Sequence, residues 1–221
     1  MEEFVAERQE VLDAVRRIVD AGLVAIASGN VSRRIRRGGG ALFAVTASRV
    51  PYDRFTIDDV IVVDEDVEPV FGDGVPSSES LLHMAVYRAR PDVGAVIHSH
   101  SVYASAYAVA GRAIPALLDE QVVALGGAVE VAEYGAAASD ELAEHAVAAL
   151  GDRAAVLLRN HGVAGVGSDL EEAVAVVELV ERVAKIGVMA ALVGGDGGGL
   201  PSAIVASEQR VYRMMKGLGE K

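Results

Sequence analysis

Apolar positions recur along this chain with two different spacings, which together predict alternating helices and strands. A spacing of three to four residues predicts an amphipathic helix over 4–20 and a long helix over 170–193. Short apolar runs bounded by glycine, proline and polar residues predict strands, among them the run that leads to His98. The other predicted strands are 30–37, 41–46, 60–64, 129–133, 154–159 and 163–166, and the other predicted helices are 77–89, 101–110, 139–150 and 207–215.

Hairpins and helical crossovers both occur in this pattern, and the mixture predicts the fold class. A glycine run at 38–40 joins two strands as a hairpin, whereas predicted helices separate others. We therefore expect an α/β fold of α+β-like character, with a central, mostly antiparallel or mixed sheet flanked by helices on both faces. We take residues 1–221 as one domain, because 221 residues support a substantial single core.

Composition narrows the partners that such a domain can have. The sequence is 52% hydrophobic and 24% charged, as in a folded globular protein, and its formal net charge is −12. An acidic surface argues against nucleic acid and anionic membranes as partners, because both require a positive footprint. No apolar run approaches the ~18 residues of a spanning helix, and the charged N-terminus lacks a signal core, so a cytoplasmic protein is expected.

Three histidines form a candidate metal site, and the absence of cysteine leaves only histidine and carboxylate ligands. His98 and His100 are two residues apart at the end of an apolar strand, a spacing that points both side chains to one face. His161 follows another apolar run and could close the site from a neighbouring strand end. Three imidazoles suit zinc or another divalent transition metal, with a position left for substrate. The alternative is that ordinary hydrogen bonds satisfy these histidines.

Two acidic positions are candidates for acid/base chemistry. Glu79 falls in the first turn of the helix that precedes the His98 strand, where the helix dipole favours a carboxylate for structural reasons alone. If that turn lies near the histidines, Glu79 could be a fourth ligand or a general acid/base. Asp119 and Glu120 lie between apolar runs, either in a solvated loop or as a second acid/base near the metal.

Small side chains and hydroxyl or amide groups at loop ends form a candidate anion site. Such groups, together with exposed backbone N–H donors, hold a phosphate without basic residues. Taken singly, each is equally consistent with turn and capping chemistry. The positions are Gly29, Asn30, Ser48, Ser77 and Ser78.

Five segments in a fixed order resemble the class II aldolase/adducin family. The match covers roughly residues 5–195, and the long helix follows the last segment. The resemblance implies the class II aldolase fold, assembled as a C4 homotetramer with active sites between subunits. It also implies that the C-terminal loop and helix, 195–221, lie near the active site. The segments are 28–32, 45–52, 76–79, 90–100 and 160–162.

The resemblance also implies roles for the candidate residues. His98, His100 and His161 would hold Zn²⁺, or another divalent ion such as Mn²⁺ or Co²⁺, and Glu79 would be both the fourth ligand and the acid/base. The implied reaction is reversible aldol cleavage of a ketose 1-phosphate to dihydroxyacetone phosphate and an aldehyde through a metal-stabilised enediolate. The residues that would hold the phosphate are Gly29, Asn30, Ser48, Ser77 and Ser78.

Three positions depart from the aldolases of this family and leave the reaction open. Ala27 replaces a hydroxyl residue and Arg49 replaces a glycine, so Arg49 could add a charge-assisted contact to phosphate or carboxylate. Glu120 stands where those aldolases have a tyrosine from the adjacent subunit, and related dehydratases carry a catalytic glutamate there. A metal-dependent dehydratase, 4-epimerase or decarboxylase acting on a sugar or sugar-acid phosphate is therefore an alternative. A non-enzymatic, adducin-like interaction module is another, although such modules lack the metal ligands present here.

Overall fold

A single sheet organises the chain. Within residues 3–37, 40–195 and 198–219, the part that the computed structural model describes, this sheet has eight strands and is accompanied by seven α-helices. The strands are β1 (Asn30–Arg37), β2 (Gly40–Thr46), β3 (Val60–Val63), β4 (Pro69–Phe71), β5 (Ala95–Ser99), β6 (Glu130–Ala132), β7 (Ala155–Leu158) and β8 (Gly162–Gly167). The helices are α1 (Val5–Asp20), α2 (Ser80–Ala89), α3 (Val102–Ala110), α4 (Asp119–Leu125), α5 (Asp140–Leu150), α6 (Leu170–Leu192) and α7 (Ser202–Met215).

The strand order places β5 inside the sheet. The order is β4-β3-β2-β1-β5-β8-β7-β6, and every neighbouring pair is antiparallel except β6 and β7. β5 is therefore paired along both of its edges, with β1 on one side and β8 on the other. The mostly antiparallel, mixed sheet predicted from the sequence is confirmed.

The two faces of β5 pack into different apolar layers. Ala95 and Ile97 belong to a core layer with residues of α1 and α6, whereas Val96 belongs to a layer with residues of α2 and α5. Successive strand residues point to opposite faces, so His98 lies on the same face as Val96 and α2. Helices cover both faces of the sheet, as the sequence predicts.

A few element boundaries differ from the sequence-based prediction. The unassigned segment 121–126 falls largely within α4, so Asp119 and Glu120 begin a helix instead of lying in a loop. β4 was not predicted, and α7 begins at Ser202 instead of 207. Residues 38–39 of the predicted hairpin turn and residues 196–197 of the C-terminal segment lie outside the described residues. None of the described helices is both long enough and apolar enough to cross a membrane.

Candidate active site

Four side chains from three distant parts of the chain converge at one end of β5. Each of Glu79, His98, His100 and His161 offers a ligand atom, and these four atoms all lie within 4.8 Å of one another. The three imidazole rings are mutually edge-on, with centroids 4.7 to 5.0 Å apart. We call these four residues the ligand cluster. The structure thus brings together all four residues that the sequence nominates as metal ligands.

Strand pairing fixes the position of His98. It is opposite Asn30 of β1 and Ala164 of β8, and its ring is fully buried. His98 Nδ1 lies 3.0 Å from the carbonyl oxygen of Val163, so a hydrogen bond orients the ring and turns Nε2 toward the cluster. His98 Nε2 lies 2.8 Å from Nε2 of His100, which follows one residue after β5 ends. The predicted same-face spacing therefore places both ring nitrogens in one space.

The tight turn between β7 and β8 supplies His161. Asn160 adopts the left-handed conformation, with φ of 58°, which asparagine tolerates better than most residues. A Cβ atom on Gly162 would lie 2.4 Å from the carbonyl oxygen of Ser99 and 3.1 Å from the His100 ring. Glycine is therefore needed here because the end of β5 and the histidine rings pack closely against its backbone.

The loop before α2 is bonded to the end of β2, and this contact positions Glu79. Ser48 N donates to Val75 O (2.8 Å), and Ser77 N donates to Thr46 O (3.0 Å). Glu79 is the N-cap residue of α2, so this helix begins at Ser80 and not at the predicted residue 77. Ser77 Oγ instead accepts a hydrogen bond from the Glu79 backbone (3.3 Å) within the loop.

The donor set fits a divalent transition metal. Glu79 Oε2 lies 3.1 Å from His98 Nε2, and Glu79 Oε1 lies 3.3 Å from His161 Nε2. Four donors about 2.1 Å from one ion lie about 3.4 Å from each other, close to these separations. Three imidazoles and one carboxylate are also the ligand types that zinc and its neighbours prefer. The cluster is therefore able to bind such a metal.

Burial and neighbouring charges shift the pKa values in the cluster. Burial alone raises the pKa of Glu79, but the hydrogen bond and charge of His98, with the charge of His161, outweigh it and lower the pKa to about 2. Burial lowers the pKa of His100 to about 4, and the charges of His98 and His161 contribute. Burial lowers the pKa of His161 in the same way. At neutral pH, Glu79 is therefore ionised and His100 and His161 are neutral, the forms that bind a metal.

These shifts predict that the metal-free protein loses stability on acidification below about pH 6.5. The pKa values of His100 and of buried His83 are about 4 and about 3 in the folded state, below the ordinary 6.5. The unfolded chain therefore binds more protons in that window, and stability falls as pH falls. Glu79 acts in the same direction, because its contribution is present above pH 4.5 and is lost toward about pH 2. The urea midpoint of unfolding of chelator-treated protein should fall as the pH is lowered from about 7 to about 4. A midpoint that stays constant over this range would contradict the prediction.

A cavity of about 390 Å³ opens beside the cluster. Glu79, His100 and His161 form part of its wall. The rest of the wall includes all the residues that the sequence nominates for the anion site, and the two candidate sites therefore share one space. Those residues are Gly29, Asn30, Ser48, Arg49, Ser77 and Ser78.

Two residues on this wall adopt the left-handed backbone conformation, which is unfavourable for residues other than glycine. Arg49 has φ of 63° and Ile26 has φ of 60°, both in the left-handed region, where an L-residue is disfavoured by roughly 1 to 2 kcal/mol. Arg49 is exposed and has no ion-pair partner among the described residues. Ile26 is 82% exposed and was not anticipated from the sequence. Such strain concentrates at functional sites, which agrees with the location of both residues at the cavity.

Glu120 and the C-terminal helix lie away from the cavity in the single chain. Glu120 is exposed in the first turn of α4, and its Oε1 atom lies 3.4 Å from Nη1 of Arg182 on α6. None of the described residues 198–219 lines the cavity. The cluster and the anion site are therefore assembled within one chain, whereas Glu120 and the C-terminal segment are not brought to them.

Other wall residues carry no chemical signal that a sequence could reveal. Ala47 and Ala137 line the cavity through backbone and methyl groups only. His83 lies on α2, four residues after Glu79, and is buried. Its partner Ser32 lies 51 residues away in the sequence, which explains why no local pattern indicated the contact.

The sheet, the flanking helices and the ligand cluster are those of a class II aldolase-type domain, and comparison with known proteins agrees. The family described as Class II Aldolase and Adducin N-terminal domain matches residues 9–188. The chain therefore belongs to the class II aldolase/adducin family, as its sequence motifs suggest.

Within this family, the chain is similar to both aldolases and an epimerase. L-fuculose phosphate aldolase of Escherichia coli strain K12 is 33% identical over 178 residues, which is 80% of each protein. A solved structure of L-fuculose 1-phosphate aldolase is 32% identical, with a TM-score of 0.88 over 95% of this chain and 97% of that chain. L-ribulose-5-phosphate 4-epimerase UlaF of Salmonella paratyphi C is 43% identical over 110 residues, 50% of this chain and 47% of that protein.

Proposed function

We propose that this protein is a metal-dependent lyase that reversibly cleaves a ketose 1-phosphate, similar to L-fuculose 1-phosphate, into dihydroxyacetone phosphate and an aldehyde. The observation that carries the proposal is the shared cavity, whose wall combines the ligand cluster with a set of small polar groups. A sugar phosphate bound there has room for its carbonyl beside the cluster and its phosphate at the other wall. Zinc is the proposed metal, with Mn²⁺ or Co²⁺ as possible replacements.

Glu79, His98, His100 and His161 would hold the metal. When bound, a divalent cation polarises the substrate's carbonyl and stabilises the negative charge that develops as the C–C bond breaks. The Asn30 amide donates to Glu79 Oε2 (3.2 Å), whereas Glu79 Oε1 accepts no hydrogen bond among the described residues. Glu79 is thus held by a hydrogen bond at Oε2, whereas Oε1 lies 3.3 Å from His161 Nε2 within the cluster.

Proton transfer is the second role that we assign to Glu79. In the synthesis direction, the ionised carboxylate removes a proton from the hydroxymethyl carbon of dihydroxyacetone phosphate, and that carbon then adds to the aldehyde. In the cleavage direction, the carboxylic acid returns this proton after the C3–C4 bond breaks. The C4 hydroxyl loses its own proton as the aldehyde forms, so protons balance overall. We assign that second transfer to Glu120 of a neighbouring subunit.

A C4 homotetramer with sites between subunits is the proposed assembly. Glu120 is exposed on α4, where it is accessible to a neighbouring chain. Large apolar side chains are exposed on α3 and at the end of α6, including Val102, Val109 and Leu192. Apolar side chains that are exposed in the single chain are available to pack against a neighbouring subunit. In such a tetramer the C-terminal segment, 195–221, would lie near the active site.

A metal-dependent dehydratase, 4-epimerase or decarboxylase is the second candidate. Similarity to an epimerase over half of the chain and the presence of Glu120 favour this alternative. The adducin-like interaction module is disfavoured, because all four candidate ligands are present and close together.

The experiment that tests the proposal is an assay of metal-loaded protein against a panel of ketose 1-phosphates, with release of dihydroxyacetone phosphate as the readout. Absence of release from every substrate, with one metal bound per chain, would overturn the aldolase assignment.

We expect Arg49 to strengthen binding of the anion. Replacing Arg49 by glycine removes an unpaired charge from the cavity wall and leaves a residue that tolerates φ of 63°. KM should therefore rise about tenfold, in line with a lost charge-assisted hydrogen bond, while the free energy of unfolding changes by less than about 1 kcal/mol. Steady-state kinetics at low and high salt, with urea unfolding, measure both quantities.

A matched control for this substitution exists outside the cavity. Val67 also has positive φ, 66°, and it is not among the residues of the cavity wall. Val67→Gly should leave KM unchanged, because it alters backbone preference without removing a charge. An unchanged KM in Arg49→Gly would show that Arg49 does not contact the substrate.

A further inference from the structure

Two rows of polar side chains face each other between α2 and β1. One row begins at the N-cap of α2 and recurs every four residues, a spacing that keeps side chains on one face of a helix. The other recurs every two residues along β1, a spacing that keeps side chains on one face of a strand. We call the six residues the polar ladder. They are Glu79, His83 and Tyr87 on the helix side and Asn30, Ser32 and Arg34 on the strand.

The contacts between the two rows follow the same order in both elements. At one end, the Asn30 amide donates to Glu79 Oε2 (3.2 Å). In the middle, Ser32 Oγ lies 2.7 Å from His83 Nδ1 and 2.8 Å from the Tyr87 hydroxyl, so one serine joins two turns of the helix. The first of these contacts is made by a residue of the ligand cluster. The polar ladder is therefore continuous with the candidate active site.

The far end of the ladder is fixed by an arginine and an aromatic pair. Arg34 Nη2 donates to the carbonyl oxygen of Tyr87 (2.5 Å), and its guanidinium lies 4.9 Å from the centroid of the Tyr87 ring. The Tyr87 ring stacks on Phe43 at 4.8 Å. Arg34 lies on β1 and is half-buried in these contacts. Both polar and aromatic contacts therefore hold Tyr87 in position.

Burial makes the order of these contacts energetically important. Asn30, Ser32, His83 and Tyr87 are all buried within the apolar layer between the sheet and α2. A buried polar group that loses its partner is costly, because water cannot replace the hydrogen bond. A shift of α2 by one residue, or a rotation about its axis, would break the contacts together. Buried polar contacts of this kind select one register of packed elements.

His83 contributes to this selection without adding charge beside Glu79. Burial lowers the pKa of His83 to about 3, so the imidazole is neutral at physiological pH. Its Nε2 atom has no hydrogen-bond partner among the described residues, which leaves Ser32 as the contact that orients the ring. The neutral imidazole lies one helical turn from Glu79 and adds no charge there at physiological pH.

We propose that Ser32, His83 and Tyr87 are positioning residues that hold Glu79 at the ligand cluster by fixing the register of α2 on β1. This inference rests on the proposed metal site, since Glu79 is a proposed ligand. None of the three residues belongs to the ligand cluster, yet we expect each of them to affect metal affinity and kcat. A ladder that served folding alone would affect stability without affecting either.

The test compares cobalt binding by Ser32→Ala and Tyr87→Phe with binding by the wild type and by Val86→Ala. Tyr87→Phe keeps the ring that stacks on Phe43 and removes only the hydroxyl. Val86 is fully buried on α2 but is not part of the ladder, so Val86→Ala destabilises the same helix without breaking a polar contact. Affinity is measured by competition with a chromophoric chelator, coordination by the visible spectrum of bound Co²⁺, and stability by urea unfolding.

We expect Ser32→Ala and Tyr87→Phe to weaken cobalt binding about tenfold, to alter the Co²⁺ spectrum and to lower kcat more than they change KM. Val86→Ala should keep wild-type affinity within about twofold despite lower stability. Wild-type affinity and spectrum in both ladder variants would overturn the inference. If Ser32→Ala does not fold, Tyr87→Phe alone decides. A wild-type protein that binds no cobalt overturns the proposed metal site instead, and the inference with it.

Discussion

Replacing His161 by alanine should lower the affinity for a divalent metal at least a hundredfold and lower kcat/KM on the order of a thousandfold. His161 supplies one of four ligand atoms, and its Nε2 lies 3.3 Å from Glu79 Oε1. Losing a ligand weakens the metal site directly, and losing the metal removes charge stabilisation worth several kcal/mol. Metal content after dialysis and steady-state kinetics of the same preparation measure both effects.

His145 provides the control for this substitution. It lies on α5 outside the ligand cluster, and its Nδ1 atom lies 3.1 Å from the carbonyl oxygen of Tyr134. His145→Ala should retain both metal and activity. His161 lies in an exposed turn and is only partly buried, so its truncation should leave the fold intact. Full activity and full metal content in His161→Ala would show that the cluster is not the catalytic centre.

Replacing Glu79 by glutamine should lower kcat by about 10² to 10⁴ with a much smaller change in KM, because the amide cannot accept or return a proton. The shape of the side chain and the contact with Asn30 can be retained, since an amide oxygen can still accept the hydrogen bond. Metal should bind more weakly but measurably. Exchange of solvent deuterium into dihydroxyacetone phosphate should be lost in parallel with cleavage, because the same carboxylate performs both.

Glu120→Gln distinguishes aldol cleavage from the alternative reactions. Under the aldolase assignment, this variant retains deuterium exchange into dihydroxyacetone phosphate and loses only part of its cleavage rate, because Glu120 serves the aldehyde oxygen. If Glu120→Gln abolished the reaction while Glu79→Gln left it nearly intact, the result would favour dehydration. Such an outcome would contradict the role assigned to Glu79.

The three histidines of the ligand cluster could be proposed from local sequence patterns, whereas the choice of Glu79 as the fourth ligand came from the resemblance to the family. His98 and His100 share a face through strand alternation, and His161 follows a second apolar run. The shape of the cavity could not be predicted from the sequence. The methyl group of Ala137 and the strained backbone of Ile26 contribute only to the shape of the cavity wall. No residue type in the sequence indicates such a contribution.

Helix α4 and the polar ladder show two other physical limits of sequence interpretation. α4 has only seven residues, too few for a clear helical period, and its acidic first turn resembles a solvated loop. The positioning role proposed for His83 depends on its contact with Ser32, and only the tertiary fold brings these two residues together. Glu120 presents a different limit, because the role proposed for it lies in the active site of a neighbouring subunit, whereas the contact found within its own chain is with Arg182.

The most direct test of the central claim is one titration of the chelator-treated protein with Zn²⁺, followed by both metal binding and release of dihydroxyacetone phosphate from a ketose 1-phosphate. The claim is that Glu79, His98, His100 and His161 hold a metal on which cleavage depends. We predict no activity before Zn²⁺ is added, a rise that saturates at one equivalent per chain, and no rise in His161→Ala. Activity that is unchanged by removal and return of the metal would contradict the account.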